Sequence, residues 1–198
     1  MLLTTGQAAA ELGCAVTTFR RLVHAELLPG LGQRGNRVMV PFHVVQSLSS
    51  RRAAPLHQLG AKEIAVLRVD TAQRTHEPDR NWIGFAASLT PDDLLKALRG
   101  WWRCNPASVA AGGVLPVTLA GYVVAVLTGL EGWEKNDAGC HAFSNARLTG
   151  YVTDLATPAI ALTSTHPDDR RIADLLLGAR LASDSGGAIA YVTANTSD

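Results

Sequence analysis

Between Cys14 and His24 the chain sets cations and hydroxyls at helical spacing beside an apolar stripe. In Cys14-Ala-Val-Thr-Thr-Phe-Arg-Arg-Leu-Val-His24, Phe19, Leu22 and Val23 stand at i, i+3 and i+4 and form one apolar face. Thr17, Arg20, Arg21 and His24 point away from it, and Thr18 adds a further hydroxyl. A planar guanidinium can donate two parallel hydrogen bonds to a base edge or a phosphate, and hydroxyl and imidazole groups supply single bonds. The pattern predicts a recognition helix for nucleic acid: a core face paired with a face of donors. A helical bundle without that role is the alternative reading of the same stripe.

Other reactive-looking residues carry less. Asp184-Ser-Gly-Gly187 has the form of a protease nucleophile loop, but no ordered His and Asp partners suggest themselves, and a turn before a last strand accounts for it. Cys140 and His141 are adjacent, so in a strand they point to opposite faces and are badly placed to cooperate. His166 reads as a cap or a solvated side chain. Asp168 and Asp169 fall in a helix first turn, where the dipole favours acids, and Arg170-Arg171 reads as a solvated face. With no metal triad, paired-acid motif or phosphate loop, the expectation is a protein that is not an enzyme and takes no metal or cofactor.

Several elements must position the donor face. Thr4-Thr-Gly-Gln7 is a capping box that starts a first helix through Ala8, Ala9 and Leu12, and Gly13 ends it in a left-handed conformation. A helix, a short Gly-containing turn and the Cys14–His24 helix follow one another as in a helix-turn-helix. Then comes Gly30-Leu-Gly-Gln-Arg-Gly-Asn-Arg37, whose glycines predict a hairpin tip carrying Arg34, Asn36 and Arg37, followed by the strand-like Val38-Met-Val40. Pro41 suits the first turn of a third helix with Val44, Val45 and Leu48 inward.

These residues resemble the excisionase branch of the MerR-like winged-helix superfamily: Leu3-Thr-Thr-Gly-Gln-Ala-Ala-x-x-Leu-Gly13, Thr17-Thr-x-Arg-Arg-Leu-Val23, Leu28-Pro29, Arg37 and Val40-Pro41. The resemblance covers about a quarter of the chain. It implies a second helix in the major groove of double-stranded DNA, giving Arg20, Arg21 and His24 base or phosphate contacts, and a wing that grips the backbone through Arg34 and Arg37. Three positions depart from the pattern. Ala15 stands where Ser usually caps the second helix, Val16 where a polar residue is usual, and Glu26 where Gly commonly follows; a missing cap costs ~1 kcal/mol.

Composition agrees with a DNA-binding N-terminal part. The 198 residues are 47 % hydrophobic and 18 % charged, ordinary for a globular chain, and the net charge of +1 is unevenly spread. Residues 1–52 hold six Lys/Arg against two Asp/Glu, a net +4, and residues 53–198 hold twelve against fifteen, a net −3. The excess sits where phosphate would be met. Cys14, Cys104 and Cys140 are odd in number and lack CxxC spacing, so neither a disulfide framework nor a zinc site is expected and a reducing cytoplasm is the expected location. No basic segment precedes an apolar run, so no signal peptide is expected. Val114–Leu130 is apolar, but it is seventeen residues long and interrupted by Pro116 and Gly121, whereas a span needs ~20. It reads as two buried strands folded about Ala120-Gly121, and no membrane role is expected.

The organisation expected is a domain at 1–52, a linker at 53–60 and a second domain at 61–198. In the latter, Ile64–Val69 reads as a strand, 71–81 as a polar loop, Trp82–Ala87 as a short strand, and Thr90-Pro-Asp-Asp as a helix start. Ala142-Phe143 and Leu148–Val152 read as a strand pair, Thr165-His-Pro-Asp-Asp as the start of a last helix with Ile172, Leu175, Leu176 and Leu177 inward, and 187–192 as a closing strand. The fold class expected is α+β: a winged helix-turn-helix followed by a larger mixed, barrel-like β domain with inserted helices.

A second resemblance covers about residues 62–152. Leu98-Arg-Gly-Trp-Trp-Arg103, Val114-Leu-Pro-Val117, Ala120-Gly-Tyr-Val-Val-Ala-Val126, Gly132-Trp133 and His141-Ala-Phe143 look similar to PUA-like β-barrels. It implies a concave site for RNA or a modified, flipped-out base, with Trp101, Trp102, Arg103, Trp133, His141 and Phe143 as its lining, unless these aromatics fill the barrel core. The function expected is a sequence-specific DNA-binding protein, a transcriptional regulator whose C-terminal domain senses a modified nucleobase, a small ligand or a partner. The alternatives are a modified-nucleic-acid or restriction-type factor targeted by its first domain, and an excisionase-like architectural protein. The Thr90 helix is too short for a dimerising coiled coil, which leaves the C-terminal domain as the route to a homo-oligomer.

Overall fold

The first helix begins where the capping box lies. In the computed structural model, which describes residues 1–184 and 186–194, Thr4 N–H donates to Gln7 Oε1 at 2.9 Å and Gln7 N–H donates to Thr4 Oγ1 at 3.3 Å. Ser185, in the Asp-Ser-Gly-Gly segment, and residues 195–198, the end of the 61–198 stretch, lie outside the described residues. Strand β1 (Leu2–Thr4) leads into helix α1 (Thr5–Glu11), which buries Ala8 and Ala9. Gly13 follows with φ +64°, and the bonds Cys14 N–H to Ala9 O and Gly13 N–H to Ala10 O close a Schellman motif.

Helix α2 (Val16–His24) starts at Ala15 without a side-chain cap, as the departure at that position predicts. It too ends in a Schellman motif: Leu27 N–H donates to Leu22 O and Glu26 N–H to Val23 O. The left-handed position is occupied by Glu26, at φ +59°, where glycine would carry no steric cost. Strands β2 (Gly32–Arg34) and β3 (Arg37–Pro41) then form a hairpin closed by the Arg34/Arg37 pair, and β3 also pairs with β1, giving the order β1-β3-β2. Helix α3 (Phe42–Ser49) buries Val44, Val45 and Leu48. Pro41 is its N-cap and the last residue of β3, one position earlier than the expected first turn.

The rest is α+β. Its elements are β4 (Glu63–Arg68), β5 (Gln73–Glu77), β6 (Arg80–Ile83), α4 (Pro91–Leu98), α5 (Pro106–Gly112), β7 (Leu115–Leu119) and β8 (Tyr122–Thr128), followed by β9 (Glu134–Lys135), β10 (His141–Ala142), β11 (Arg147–Asp154), β12 (Ala159–Leu162), α6 (Pro167–Leu176) and β13 (Ile189–Thr193). Six strands make one sheet in the order β12-β11-β8-β7-β4-β13, in which only β4 and β7 run parallel. Every residue of β7 and β8 is buried, so both faces of this hairpin are covered, which is why its sequence is a near-continuous apolar run. Helix α6 packs on β8 and β11, and α5 packs on β4. No helix among the described residues is long and apolar enough to cross a membrane.

Several expectations for this part are corrected. The barrel-like sheet is an open ladder: β12 and β13 are its two ends, and among the described residues no ladder joins them. Residues 71–81 are not a loop but hold β5 and the start of β6, which ends at Ile83, so Gly84–Ala87 is not strand. Ala142 and Leu148–Val152 do not pair with each other; β10 pairs with β9, and β11 lies between β8 and β12. Of the last helix's expected inner residues, Ile172 and Leu175 are half-buried and Leu177 is its C-cap.

The N-terminal helices are fastened to the sheet by backbone as well as side chains. Ala87 N–H donates to Ala25 O, Leu155 N–H to Leu27 O, and Arg180 N–H to Arg52 O, all at 2.8–2.9 Å. Tyr122 Oη donates to Leu48 O at 3.2 Å, and Ser47 Oγ and Arg51 Nη2 both donate to Ala156 O. Residues 53–60 lie against this seam, with Ala53 bridging Arg180, Leu56 buried and a 3-10 turn over Leu56–Leu59. One apolar cluster, including Phe19, Leu22, Leu48, Leu119 and Tyr122, runs through both parts.

One buried carboxylate ties α6 to the sheet. Asp169 accepts from Thr128 Oγ1 at 3.1 Å and Ser164 Oγ at 2.7 Å, with Arg147 Nη2 at 3.5 Å, a role beyond the dipole complementarity expected of it. Burial works to raise its pKa, but the two hydroxyl bonds and the arginine charge outweigh it and the pKa is lowered.

Two outcomes follow. Glu26→Gly should raise stability by about 1 kcal/mol, a few degrees in Tm, by relieving the left-handed strain at the end of α2; an unchanged or lower melting temperature contradicts it. Because Asp169 is depressed in the folded state, its contribution is fully present above the unfolded pKa of about 4 and is lost as pH falls through the folded value. Urea unfolding from neutral pH to about pH 2.5 should therefore show Asp169→Asn less stable than the parent at pH 7, with the gap closing below about pH 4. A gap constant across that range contradicts it.

Candidate nucleic-acid interface

The apolar stripe of α2 faces inward as its spacing requires: Phe19 and Leu22 are fully buried and Val23 half-buried. Thr17, Arg20, Arg21 and His24 are exposed and Thr18 is half-buried. Arg20, Val23 and His24 form one wall of a cleft of about 370 Å³. Asn36, Arg37 and Val38 of the hairpin form the facing wall, and Thr4 and Thr5 close its end. Arg34 is exposed and paired in register with Arg37, so two guanidinium-bearing residues stand at the hairpin end.

Arg21 departs from this group. Its Nε lies 3.4 Å from Asp70 Oδ2, with both side chains about half exposed, and with Thr18, Asp70 and Thr118 it lines a different cleft. Asp70 is held there by a close backbone crossing. Gly84, at φ +94°, passes so near residues 70–71 that a Cβ on it would stand 2.6 Å from Asp70 O, and Phe85 N–H donates to that same oxygen. The donor face is thus divided: Arg20 and His24 turn to the hairpin, Arg21 to the sheet, and Thr17 is exposed between them by helical geometry.

Two of the six N-terminal cations are structural. Arg51 donates to Ala156 O, and Arg52 Nη2 donates to Asp174 O and Leu175 O at the carbonyl end of α6, where a cation complements the helix dipole. Arg20, Arg34 and Arg37 are exposed and form no ion pair among the described residues. The cationic surface available to phosphate is therefore smaller than the formal +4 and concentrated on α2 and the hairpin.

The aromatic set of the C-terminal part is only partly gathered. Trp102 and His141 face each other across an antiparallel bridge, so residues 98–103 and 132–143 do come together. Trp102 is nevertheless 8 % exposed, donates its Nε1–H to Leu98 O and packs with Arg80 over its ring, and Phe143 is fully buried; both are core. Trp101 and His141 are half-buried, and Arg103 is exposed with Nη2 donating to Ala138 O. Trp133, 41 % exposed, is the accessible aromatic of the six.

Sequence reading passed over Arg80, which is buried, pairs with Glu77 through two hydrogen bonds and donates to Ala97 O and Gly100 O at the end of α4. Nothing local in Glu77-Pro-Asp-Arg80 marks its burial, because its backbone acceptors lie at and just beyond the end of α4, 17 and 20 residues on. It also passed over Trp82, whose ring carries the Arg74 guanidinium at 4.4 Å on the exposed β5–β6 hairpin.

Two of the thiols are not activated. Burial raises the pKa of Cys14, and burial together with Cys140 pushes Cys104 up to about 11, so both are protonated at neutral pH. Among the described residues no group of three or more His, Cys, Asp or Glu could hold a metal ion. No family model matches the chain, and no curated protein or solved structure matches it either.

Proposed function

We propose that residues 1–52 are a winged helix-turn-helix that binds duplex DNA sequence-specifically and that the protein acts as a transcriptional regulator. The observation that carries the reading is the cleft in which Arg20 and His24 of α2 face Asn36 and Arg37 of the β2–β3 hairpin, with the exposed cations on its rim. A helix and a hairpin on either side of one cleft can straddle a groove edge, the helix entering the major groove while the hairpin lies on the adjacent backbone. Arg20 and His24 then take base edges or phosphate, Thr17 supplies a hydroxyl, and Arg34, Asn36 and Arg37 take phosphate.

The burial of Trp102 and Phe143 weighs against a base-stacking pocket built from the six C-terminal residues. The N-terminal reading does not depend on such a pocket. Asp70 is part of the interface on this reading, because a carboxylate beside Arg21 lies within a Debye length, about 8 Å, of any phosphate that Arg21 could meet.

Selection from a random duplex library followed by fluorescence anisotropy tests the proposal. Arg20→Ala should weaken the selected site about 10-fold or more while the melting temperature stays put, the cost of a lost base contact being ~1–3 kcal/mol. Arg37→Ala should weaken selected and unrelated duplexes alike and lower the salt slope by about 1. Unchanged affinity in the Arg20 variant, or failure of any duplex to be enriched, removes the reading. Asp70→Asn should tighten binding about two- to fivefold, the scale of one exposed ion pair; weaker binding would show instead that Asp70 serves by positioning Arg21.

A further inference from the structure

A second cleft, of about 390 Å³, lies where the N-terminal helices meet the sheet. Leu12 and Cys14 of the α1–α2 turn and Thr18 and Leu22 of α2 form one side. Ala120, Gly121 and Tyr122 of the β7–β8 turn and Ala53 form the other, and Arg51 and Arg180 bring two guanidinium groups. Among the described residues no Asp or Glu lines it. Its volume falls in the range of small-molecule sites, about 300–1,000 Å³, and its walls are mostly apolar with few polar groups, as such sites are.

The two arginines are held differently, Arg51 by its side chain and Arg180 by its backbone. Arg51 is half-buried and held by its bond to Ala156 O, and burial lowers its pKa against the opposing charges of Tyr122 and Asp154. Arg180 is anchored through its backbone, which pairs with Arg52 and Ala54, while its side chain is exposed. Cations beside a largely apolar cavity with no carboxylate in its described lining call for an anion with an apolar body. Arginine favours a planar, two-oxygen anion because its fork matches a carboxylate.

We propose that this cleft binds a small amphipathic monocarboxylate, its carboxylate between Arg51 and Arg180 and its hydrocarbon against Leu12, Leu22 and Ala120. Occupancy touches the α1–α2 turn directly. Whether it changes DNA affinity rests on the DNA-binding reading, but binding itself does not.

Hexanoate is a suitable probe, with hexanamide as the neutral isostere, and acetate and inorganic phosphate as anions lacking the apolar body. The full chain is alkylated with N-ethylmaleimide at mildly alkaline pH, and modification of Cys14 and Cys140 is followed separately by peptide mass spectrometry. Hexanoate should slow alkylation of Cys14 about tenfold at 10 mM, where a site with Kd near 1 mM is about nine-tenths filled, and leave Cys140 unaffected. Hexanamide, acetate and phosphate should protect far less. Arg180→Gln should weaken hexanoate affinity about tenfold, leaving about twofold slowing at 10 mM, without lowering the melting temperature, since its side chain makes no hydrogen bond or ion pair among the described residues. Equal protection by hexanamide would reduce the site to an apolar crevice, equal protection by phosphate would make it a general anion site, and no protection of Cys14 by hexanoate would overturn the proposal whatever DNA binding shows.

Discussion

The hairpin of β7 and β8 has to be covered on both faces, and the arrangement of the remaining elements follows from how that is done. Each buried Val or Leu of this hairpin is worth about 1.5–3 kcal/mol relative to leaving it in water, so uncovering one face would cost an amount comparable to a domain's whole net stability. Helix α6 closes over β8 and β11, with Asp169 bonded to Thr128 at its foot, and β4 and β11 flank the hairpin in the sheet. At the turn end, Tyr122 reaches Leu48 and the N-terminal helices close the surface.

That docking decides the character of the DNA-binding candidate. A short helical module beside a second domain on a free tether could reorient at will, whereas here Ala25, Leu27 and Arg52 accept backbone hydrogen bonds from residues 87, 155 and 180. Helix α2 consequently presents its outer face with Asp70 and the β7–β8 turn on one flank and the β2–β3 hairpin on the other. The same seam uses Arg51 and Arg52 structurally, so fewer cations face outward than the N-terminal charge suggests. A change at the cleft beneath the α1–α2 turn would be felt by α2 without crossing the rest of the molecule.

What could be read from the sequence is what local chemistry determines. Thr4 and Gln7 cap α1, Gly13 ends it, the Phe19/Leu22/Val23 spacing orients α2, and glycines mark the β2–β3 hairpin; each signal acts within a few residues. Helix α5 carried such a signal too, with Asn105 accepting from two backbone N–H groups, Pro106 at the first position and Gly113 at the end, but its seven residues offer almost no periodicity to notice. The β5–β6 hairpin and β12 lack alternating apolar residues because they are largely exposed. The parallel pairing of β4 with β7, the burial of Arg80 and the Arg21–Asp70 pair depend on residues from 17 to about 50 positions apart, beyond any local pattern. For the same reason the spacing placed Arg20 and Arg21 together on the outer face of α2 but could not reveal that they would turn to opposite sides.

The central claim is that α2 and the β2–β3 hairpin meet duplex DNA together. The most direct measurement is an NMR titration of the ¹⁵N-labelled protein with a selected duplex, following backbone amides and tryptophan indoles at once. The largest changes should fall on Thr17, Arg20, His24 and residues 35–37, with the indoles of Trp101 and Trp133 unmoved. Changes centred on those indoles, with the amides of α2 and the hairpin left in place, would contradict it.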